Sequence, residues 1–121
     1  MASVQSNRDR FFEKIKPIFE GSRYEICKAP EGKYKDKIIQ IINKGSGTHD
    51  FHVWCHMRND RLDLVIPEFR VRQIPNSIGL MEKNKNIKKG DRLDGQDAVS
   101  LQDIDEDALI EAFKYITTHV I

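Results

Sequence analysis

The feature that most constrains the fold is a pair of short stretches, residues 51–57 and 62–66, with apolar residues at every second position. Alternate side chains of a β-strand share a face, so such a stretch buries one face and exposes the other. A two-residue turn at Asn59 and Asp60 would join the stretches into an antiparallel hairpin. The predicted pairs on the buried face are Val53–Ile66, Cys55–Leu64 and Met57–Leu62. The predicted pairs on the opposite face are Trp54–Val65 and His56–Asp63.

Helical periodicity marks both ends of the chain. The N-terminal apolar residues at this spacing are Phe11, Phe12, Ile15, Ile18 and Phe19. Ser6 or Asn7 can cap the start of this helix, and Gly21 can end it. Near the C-terminus, Asp103 and Glu106 have the spacing of a capping box. The apolar stripe that follows them consists of Leu109, Phe113, Ile116 and Val120.

Strand patterns fill the middle of the chain, at residues 22–29, 35–43 and 98–102 in addition to the hairpin. Beyond Pro67 the alternation resumes, with Phe69 and Val71 in the buried phase. Residues 75–97 are polar and rich in Gly and Asn, so we predict a long connection or a weak excursion of the chain there. The sequence therefore predicts one α+β domain over residues 1–121, a two-layer sandwich. Its mostly antiparallel sheet has four to five strands, with N-terminal and C-terminal helices.

Residues 48–57 hold three histidines, a tryptophan and a cysteine, a composition that raises the question of a metal or catalytic site. In the predicted strand, His52, Trp54 and His56 share one face and Cys55 lies on the other, in the core. At ~3.3 Å per residue, His52 and His56 are ~13 Å apart, too far to ligate one zinc ion. We predict no metal ligand, no catalytic residue and no cofactor. Trp54 belongs to the core if a helix covers this face, and it is an exposed platform for a base, a ring or a partner protein if the face is open; we expect partial burial.

The charges are segregated along a chain whose net charge is +1. Residues 91–121 carry two basic and eight acidic residues, a balance of −6, whereas residues 1–90 carry 18 basic and 11 acidic ones, a balance of +7. Such asymmetry is typical of proteins with a nucleic-acid partner. The alternative is that the acidic part packs beside the basic part and neutralises it.

Basic residues supply the leading hypothesis for function. Arg70 and Arg72 are predicted to share the outward face of one strand. A glycine-containing segment adds Lys83, Lys85, Lys88, Lys89 and Arg92. Such side chains can clamp phosphates in a salt-dependent, largely sequence-independent way. We therefore expect a non-enzymatic binding domain that contacts nucleic acid or an anionic ligand through these residues, aided by His52, Trp54 and His56.

Two other functions fit the same sequence. A protein-interaction or homo-oligomerisation module would use the sheet face around Trp54 or the edge near Pro67. A metal-dependent nuclease would use Asp63 and Glu68, which must converge on one ion. Arg70 stands where such enzymes have a lysine, and an arginine stays protonated and cannot act as a base.

The start of the chain and its hydropathy bear on localisation. No apolar run approaches the ~20 residues of a membrane span, and residues 1–14 lack the apolar stretch of a signal peptide. Two isolated cysteines do not make a disulfide framework. We expect an intracellular, cytoplasmic protein with no membrane partner.

Three segments resemble a family of small uncharacterised α+β domains found alone or attached to restriction-like nucleases. They are "FFEKIKPIF", "FHVWCHMRNDRLDLVI" and "VSLQDIDEDALIEAFKYI". The resemblance lies in the spacing of a helix, a hairpin with a basic turn and a closing helix, and it spans most of the chain. It implies the α+β fold and a DNA-related context, and it supplies no catalytic residue.

Overall fold

A computed structural model of the chain describes residues 4–55, 62–71, 73–74, 86–93 and 95–119. The elements in chain order are α1 (Val4–Phe19), β1 (Tyr24–Lys28), β2 (Ile38–Asn43), β3 (His49–Cys55), β4 (Leu62–Pro67), α2 (Glu68–Val71), β5 (Asn86–Leu93), β6 (Gln96–Ile104) and α3 (Glu106–His119). The six described strands form one antiparallel sheet in the order β1-β2-β3-β4-β6-β5. The predicted α+β fold, with a helix near each end, is confirmed, and the sheet has one strand more than predicted.

Both long helices pack on the same face of the sheet, where they form the hydrophobic core. The ring of Phe113 in α3 lies 5.2 Å from that of Phe19 in α1 and 6.3 Å from that of Phe51 in β3, in edge-on contacts. Other fully buried side chains of this core are Phe11, Ile15, Ile39, Ile41, Val53, Leu64, Leu101 and Leu109. The predicted apolar stripes of both helices and the buried phase of β3 therefore meet in one core.

The hairpin of β3 and β4 has the predicted faces but a different register. Cys55 pairs with Leu62, Val53 with Leu64, and Trp54 with Asp63. The predicted register was wrong by two residues. The predicted pairing of Asp63 with His56 was therefore also wrong, since Asp63 pairs with Trp54 and His56 lies outside the described ranges. A shift of two residues keeps every side chain on its face, because the period of a strand is two. The hydrophobic pattern therefore fixed the faces and could not distinguish these registers.

Residues 86–93 form a strand where the sequence predicted a connection. This strand, β5, pairs with β6 along nearly its whole length, with a register shift between Lys89 and Asp91. Its sequence, "NIKKGDRL", lacks the apolar alternation that marks a half-buried strand. The backbone pairing with β6 therefore could not be read from hydrophobic periodicity.

The chain leaves the sheet at Pro67, and this reverses the predicted burial of the next residues. Glu68–Val71 form the single helical turn α2. Phe69 is 46% exposed, whereas Arg70 is only 7% exposed, so the prediction of an outward Arg70 on a strand was wrong. The period changes from 2 to about 3.6 residues where a strand gives way to a helix, and the alternation no longer applies.

Both predicted helix starts also differ from the structure. Helix α1 already includes Val4, so Ser6 and Asn7 lie within the helix and not at its start. Helix α3 is capped by Asp105, whose Oδ2 accepts a hydrogen bond of 3.2 Å from the backbone N–H of Ala108. Asp103 is not the cap, because β6 extends to Ile104.

Helices α1 and α3 are joined by a shared ion-pair network at Glu106. One carboxylate oxygen of Glu106 lies 3.0 Å from the guanidinium of Arg10, and the other lies 3.0 Å from the ammonium of Lys14. Partial burial acts to raise the pKa of Glu106, but the hydrogen bonds from Lys14 and Arg10 outweigh it and lower the pKa from its ordinary value. The charged form of Glu106 therefore stabilises the folded state.

We expect Glu106→Gln to lower the free energy of unfolding at pH 7 by up to about 1 kcal/mol, since both basic partners are nearly half exposed and solvent screens the pairs. A lowered folded-state pKa gives stability that is present above the ordinary carboxyl pKa and lost as pH falls through the folded value. The difference between Glu106→Gln and the original protein should therefore shrink below about pH 4.5. Urea unfolding at several pH values measures it. Glu13→Gln, on the exposed side of α1, is the control, and an equal pH-dependent loss there would contradict the assignment.

Candidate functional site

The sheet face opposite the helices, here called the second face, is lined by half-buried side chains. They are Ile38, Gln40, His52, Trp54 and Val65. Their neighbours along each strand are buried in the core, whereas these side chains keep part of their surface exposed. The prediction that Trp54 is partly buried, on the face away from Cys55, is confirmed.

A β-bulge in β3 places two imidazoles together beside this face. Ile41 and Ile42 are consecutive in β2 but pair with Phe51 and His49, so Asp50 is an extra residue in β3. Residues three apart lie on opposite faces of a regular strand, yet His49 Nδ1 and His52 Nε2 are only 2.9 Å apart. The bulge thus brings the two rings into contact.

Trp54 is in contact with an aromatic residue from the loop that joins β1 and β2. The ring centroids of Tyr34 and Trp54 are 5.4 Å apart, with an angle of 50° between the ring planes. The ammonium groups of Lys33 and Lys37 each lie 5.4 Å from the centroid of the Tyr34 ring. These distances are within the range of cation–π attraction. We call these four residues the Tyr34–Trp54 cluster.

Two hydrogen bonds to backbone carbonyls hold the loop that carries Tyr34 in place. The guanidinium of Arg8, a residue of α1 that is only 4% exposed, donates a 2.6 Å hydrogen bond to the carbonyl of Lys35. The carbonyl of Lys37 accepts a 2.9 Å hydrogen bond from the backbone N–H of Cys55. Buried donors of this kind hold a loop in one conformation, because each would lose its partner if the loop moved away. The cluster is therefore positioned before any ligand is bound.

Arg70, a predicted ligand contact, is instead part of the interior. Its guanidinium lies 3.3 Å from the carboxylate of Asp50, and both side chains are at most 8% exposed. Asp50 also accepts a 3.1 Å hydrogen bond from the hydroxyl of Thr48, and Arg70 donates one of 3.2 Å to Gln73. A guanidinium in this setting holds α2 against the bulge of β3 and is not available to an external phosphate.

The other predicted ligand contacts lie in different parts of the structure. His52 and Trp54 lie on the second face, as predicted. Lys88, Lys89 and Arg92 lie in β5, where their Cα partners in β6 are Ser100, Val99 and Asp97. Position 88 thus ends a cross-strand row that runs through His52, Val65 and Ser100. The remaining predicted contacts, His56, Arg72, Lys83 and Lys85, lie outside the described residues.

The sequence interpretation missed Lys33, Tyr34 and Lys37. Their stretch, "EGKYKDK", overlaps the turn at residues 30–32 and the start of the strand predicted at residues 35–43, and Tyr34 falls between the two. An aromatic residue between lysines is nonetheless a recognisable signal of an anion-binding or nucleic-acid-binding loop. What the sequence did not show is that this loop lies against Trp54.

No protein-family model, curated protein or solved structure matches this chain. The resemblance to domains attached to restriction-like nucleases therefore stays a prediction. The candidate site rests on the geometry of its own residues.

The two carboxylates of the predicted nuclease are not brought together. Asp63 lies near the start of β4 and Glu68 follows its end, so at ~3.3 Å per residue they are ~16 Å apart along the chain. Two ligands of one metal ion must each lie within a few ångströms of it. In the part of the chain that is described, no group of three His, Cys, Asp or Glu side chains is arranged to hold a metal ion.

Among the described helices, none is long and apolar enough to cross a membrane.

The two thiols lie on opposite faces of the sheet and should differ in reactivity. Burial raises the pKa of Cys55 in the core to about 12. Burial, and then the charge of Glu25, also raises the pKa of the half-buried Cys27, whose Sγ is 3.5 Å from Gln40 Oε1. Thiolates are the reactive species, so both react slowly and Cys55 more slowly.

We expect iodoacetamide at pH 8 to alkylate Cys27 first, and Cys55 only through opening of the core. Mass spectrometry of a time course measures the two rates, with Cys27→Ser and Cys55→Ala as controls that isolate each thiol. Urea should accelerate the labelling of Cys55 far more than that of Cys27. Equal labelling rates in the absence of urea would contradict the placement of Cys55.

Proposed function

We propose that this domain binds nucleic acid, without catalysing a reaction, through the Tyr34–Trp54 cluster on the second face. The observation that carries the proposal is one aromatic pair with two lysine ammonium groups beside it. Aromatic rings can stack on bases, whereas ammonium groups neutralise phosphates and release their counterions. The cluster therefore offers both kinds of contact within one small area.

Two further features support this proposal. The positive balance of residues 1–90 favours the approach of a polyanion. Position 88 of the lysine-containing strand β5 lies in the same cross-strand row as His52. Arg70 is left out of the proposed site, since its guanidinium is buried against Asp50.

Fluorescence anisotropy with short labelled DNA and RNA oligonucleotides tests the proposal. We expect binding at roughly 50 mM salt that weakens steeply by roughly 200 mM. Replacing both Lys33 and Lys37 with Gln should reduce the slope of log affinity against log salt by about one for each phosphate that the variant no longer neutralises.

Lys16→Gln is the matched control, because Lys16 is an exposed lysine of α1, in the helical layer. It makes the same change of charge as each single substitution, Lys33→Gln or Lys37→Gln, but away from the second face, so it is compared with those single variants. Absence of binding at low salt, or binding that added salt does not weaken, would overturn the proposal. An equal effect of Lys16→Gln would show that general charge, and not this cluster, attracts the nucleic acid.

A protein-interaction or oligomerisation role is the second candidate, favoured by the aliphatic part of the same face. Ile38 and Val65 are half-buried beside Trp54 and His52, a composition suited to a contact with another protein surface. Light scattering decides for this function if it shows a stable oligomer that Trp54→Ala dissociates. A monomer at all concentrations would exclude self-association.

A further inference from the structure

We infer that the ligand of the Tyr34–Trp54 cluster is single-stranded nucleic acid, one unpaired base of which stacks on the aromatic pair. This inference rests on the proposed function and names the class of nucleic acid that the site takes. A duplex hides the faces of its bases within its stack, whereas a single strand can present them to aromatic side chains.

The exposure of the aromatic pair fits a stacking contact. Tyr34 is 43% exposed, more than any other described Phe, Tyr or Trp residue except Phe69. Its ring meets Trp54 at an angle of 50°, so the two rings do not cover each other as parallel rings would. The exposed Tyr34 and the half-buried Trp54 therefore both keep surface that a base can contact.

The lysines define where the backbone of the strand would lie. Lys33 and Lys37 are on either side of Tyr34 in sequence, and their ammonium groups are equally distant from its ring centroid. A base on the ring would bring the adjoining phosphates within reach of these two flexible side chains. Because backbone contacts carry no sequence information, the site should tolerate different bases.

The described helices are poorly suited to reading a duplex. A recognition helix presents basic and polar side chains to the major groove. The exposed side of α3 carries Asp107 and Glu111, which repel phosphates. In α1, Arg10 and Lys14 are engaged by Glu106. The exposed Lys16 of α1 stands between Glu13 and Glu20, also exposed, so neither of these two described helices presents a continuous basic surface.

The loop geometry adds a reason for tight stacking. Arg8 and the N–H of Cys55 hold the loop by its carbonyls at positions 35 and 37, so the aromatic pair is formed in the free protein. A site that is formed in advance loses less conformational entropy when its ligand binds.

Trp54 is the sole tryptophan and reports directly on this contact. The experiment titrates the protein at low salt with a single-stranded oligonucleotide, with the duplex of the same sequence, and with inorganic polyphosphate. We expect the single strand to quench Trp54 fluorescence and to bind at least tenfold more tightly than the duplex. Polyphosphate should bind weakly and leave the fluorescence nearly unchanged.

Substitution of Tyr34 identifies the site. Tyr34→Ala should weaken single-strand binding by roughly 5- to 150-fold, the range measured for loss of one stacking ring, while Tyr34→Phe should retain it. Phe69→Ala is the control, because Phe69 is equally exposed and lies outside the cluster. Thermal denaturation of each variant shows that it is folded.

The outcomes separate the two proposals. Equal affinity for duplex and single strand, or no effect of Tyr34→Ala, would overturn this inference and leave nucleic-acid binding in place. Binding of polyphosphate as tight as that of either nucleic acid, with no quenching, would show a simple anion site and overturn stacking. No binding of any nucleic acid would overturn the proposed function itself.

Discussion

Replacing Arg70 with methionine is expected to lower the free energy of unfolding by about 3–5 kcal/mol, as found when one partner of a buried ion pair is removed. The guanidinium of Arg70 lies 3.3 Å from the carboxylate of Asp50, and neither side chain is more than 8% exposed. Methionine fills similar space but leaves the carboxylate with its charge in an interior that solvates it poorly. Urea unfolding followed by circular dichroism measures the change in stability.

The double variant Asp50→Val with Arg70→Met distinguishes the loss of a pair from the loss of packing. Removing both charges takes away the unpaired buried ion, so the double variant should be more stable than Arg70→Met alone. Lys114→Met is the surface control, since Lys114 pairs with Glu111 where both side chains are more than half exposed. That change should stay within about 0.5 kcal/mol. If Arg70→Met lowered the free energy of unfolding by less than about 1 kcal/mol, the Asp50–Arg70 pair would be shown to be solvated.

Phe113→Ala is expected to cost about 3–5 kcal/mol, because it opens a cavity at the centre of the core. The Phe113 side chain has no exposed surface, and its ring contacts those of Phe19 and Phe51. It thus links both long helices to the sheet. Removing it takes a shared packing partner from three elements, and both dispersion attraction and apolar burial decrease. Urea unfolding again measures the change.

Two variants make this result specific. Phe113→Leu keeps most of the buried volume and should cost much less than Phe113→Ala. Tyr34→Ala removes an aromatic ring that is 43% exposed in a loop and should change stability by only about 0.5 kcal/mol. If Phe113→Ala and Tyr34→Ala destabilised the protein equally, the core would not be centred on Phe113.

The sequence located only the sheet part of the candidate site. The alternation of β3 placed His52 and Trp54 on one face, and the structure has them there. The loop part consists of Lys33, Tyr34 and Lys37. The position of this loop depends on the hydrogen bond from Arg8, which lies 27 residues before Lys35 in the chain. A contact over that separation leaves no local pattern in the chain. The electrostatic hypothesis selected Arg70 for its charge and for its predicted outward position on a strand, and it could not foresee the buried carboxylate of Asp50.

What the sequence determined by itself is the class of fold, the two long helices and the face on which residues 51–55 and 62–66 lie. The helices and the faces of the strands follow from the period of the apolar residues, because burial of an apolar face is favourable whichever element packs against it. The tertiary structure alone decided the register of the hairpin, the pairing of β5, the bulge at Asp50 and the burial of Arg70. These four features depend on backbone hydrogen bonds or, for Arg70, on one charge that is distant in the chain. Backbone hydrogen bonds and single charge pairs leave no repeating pattern in the sequence.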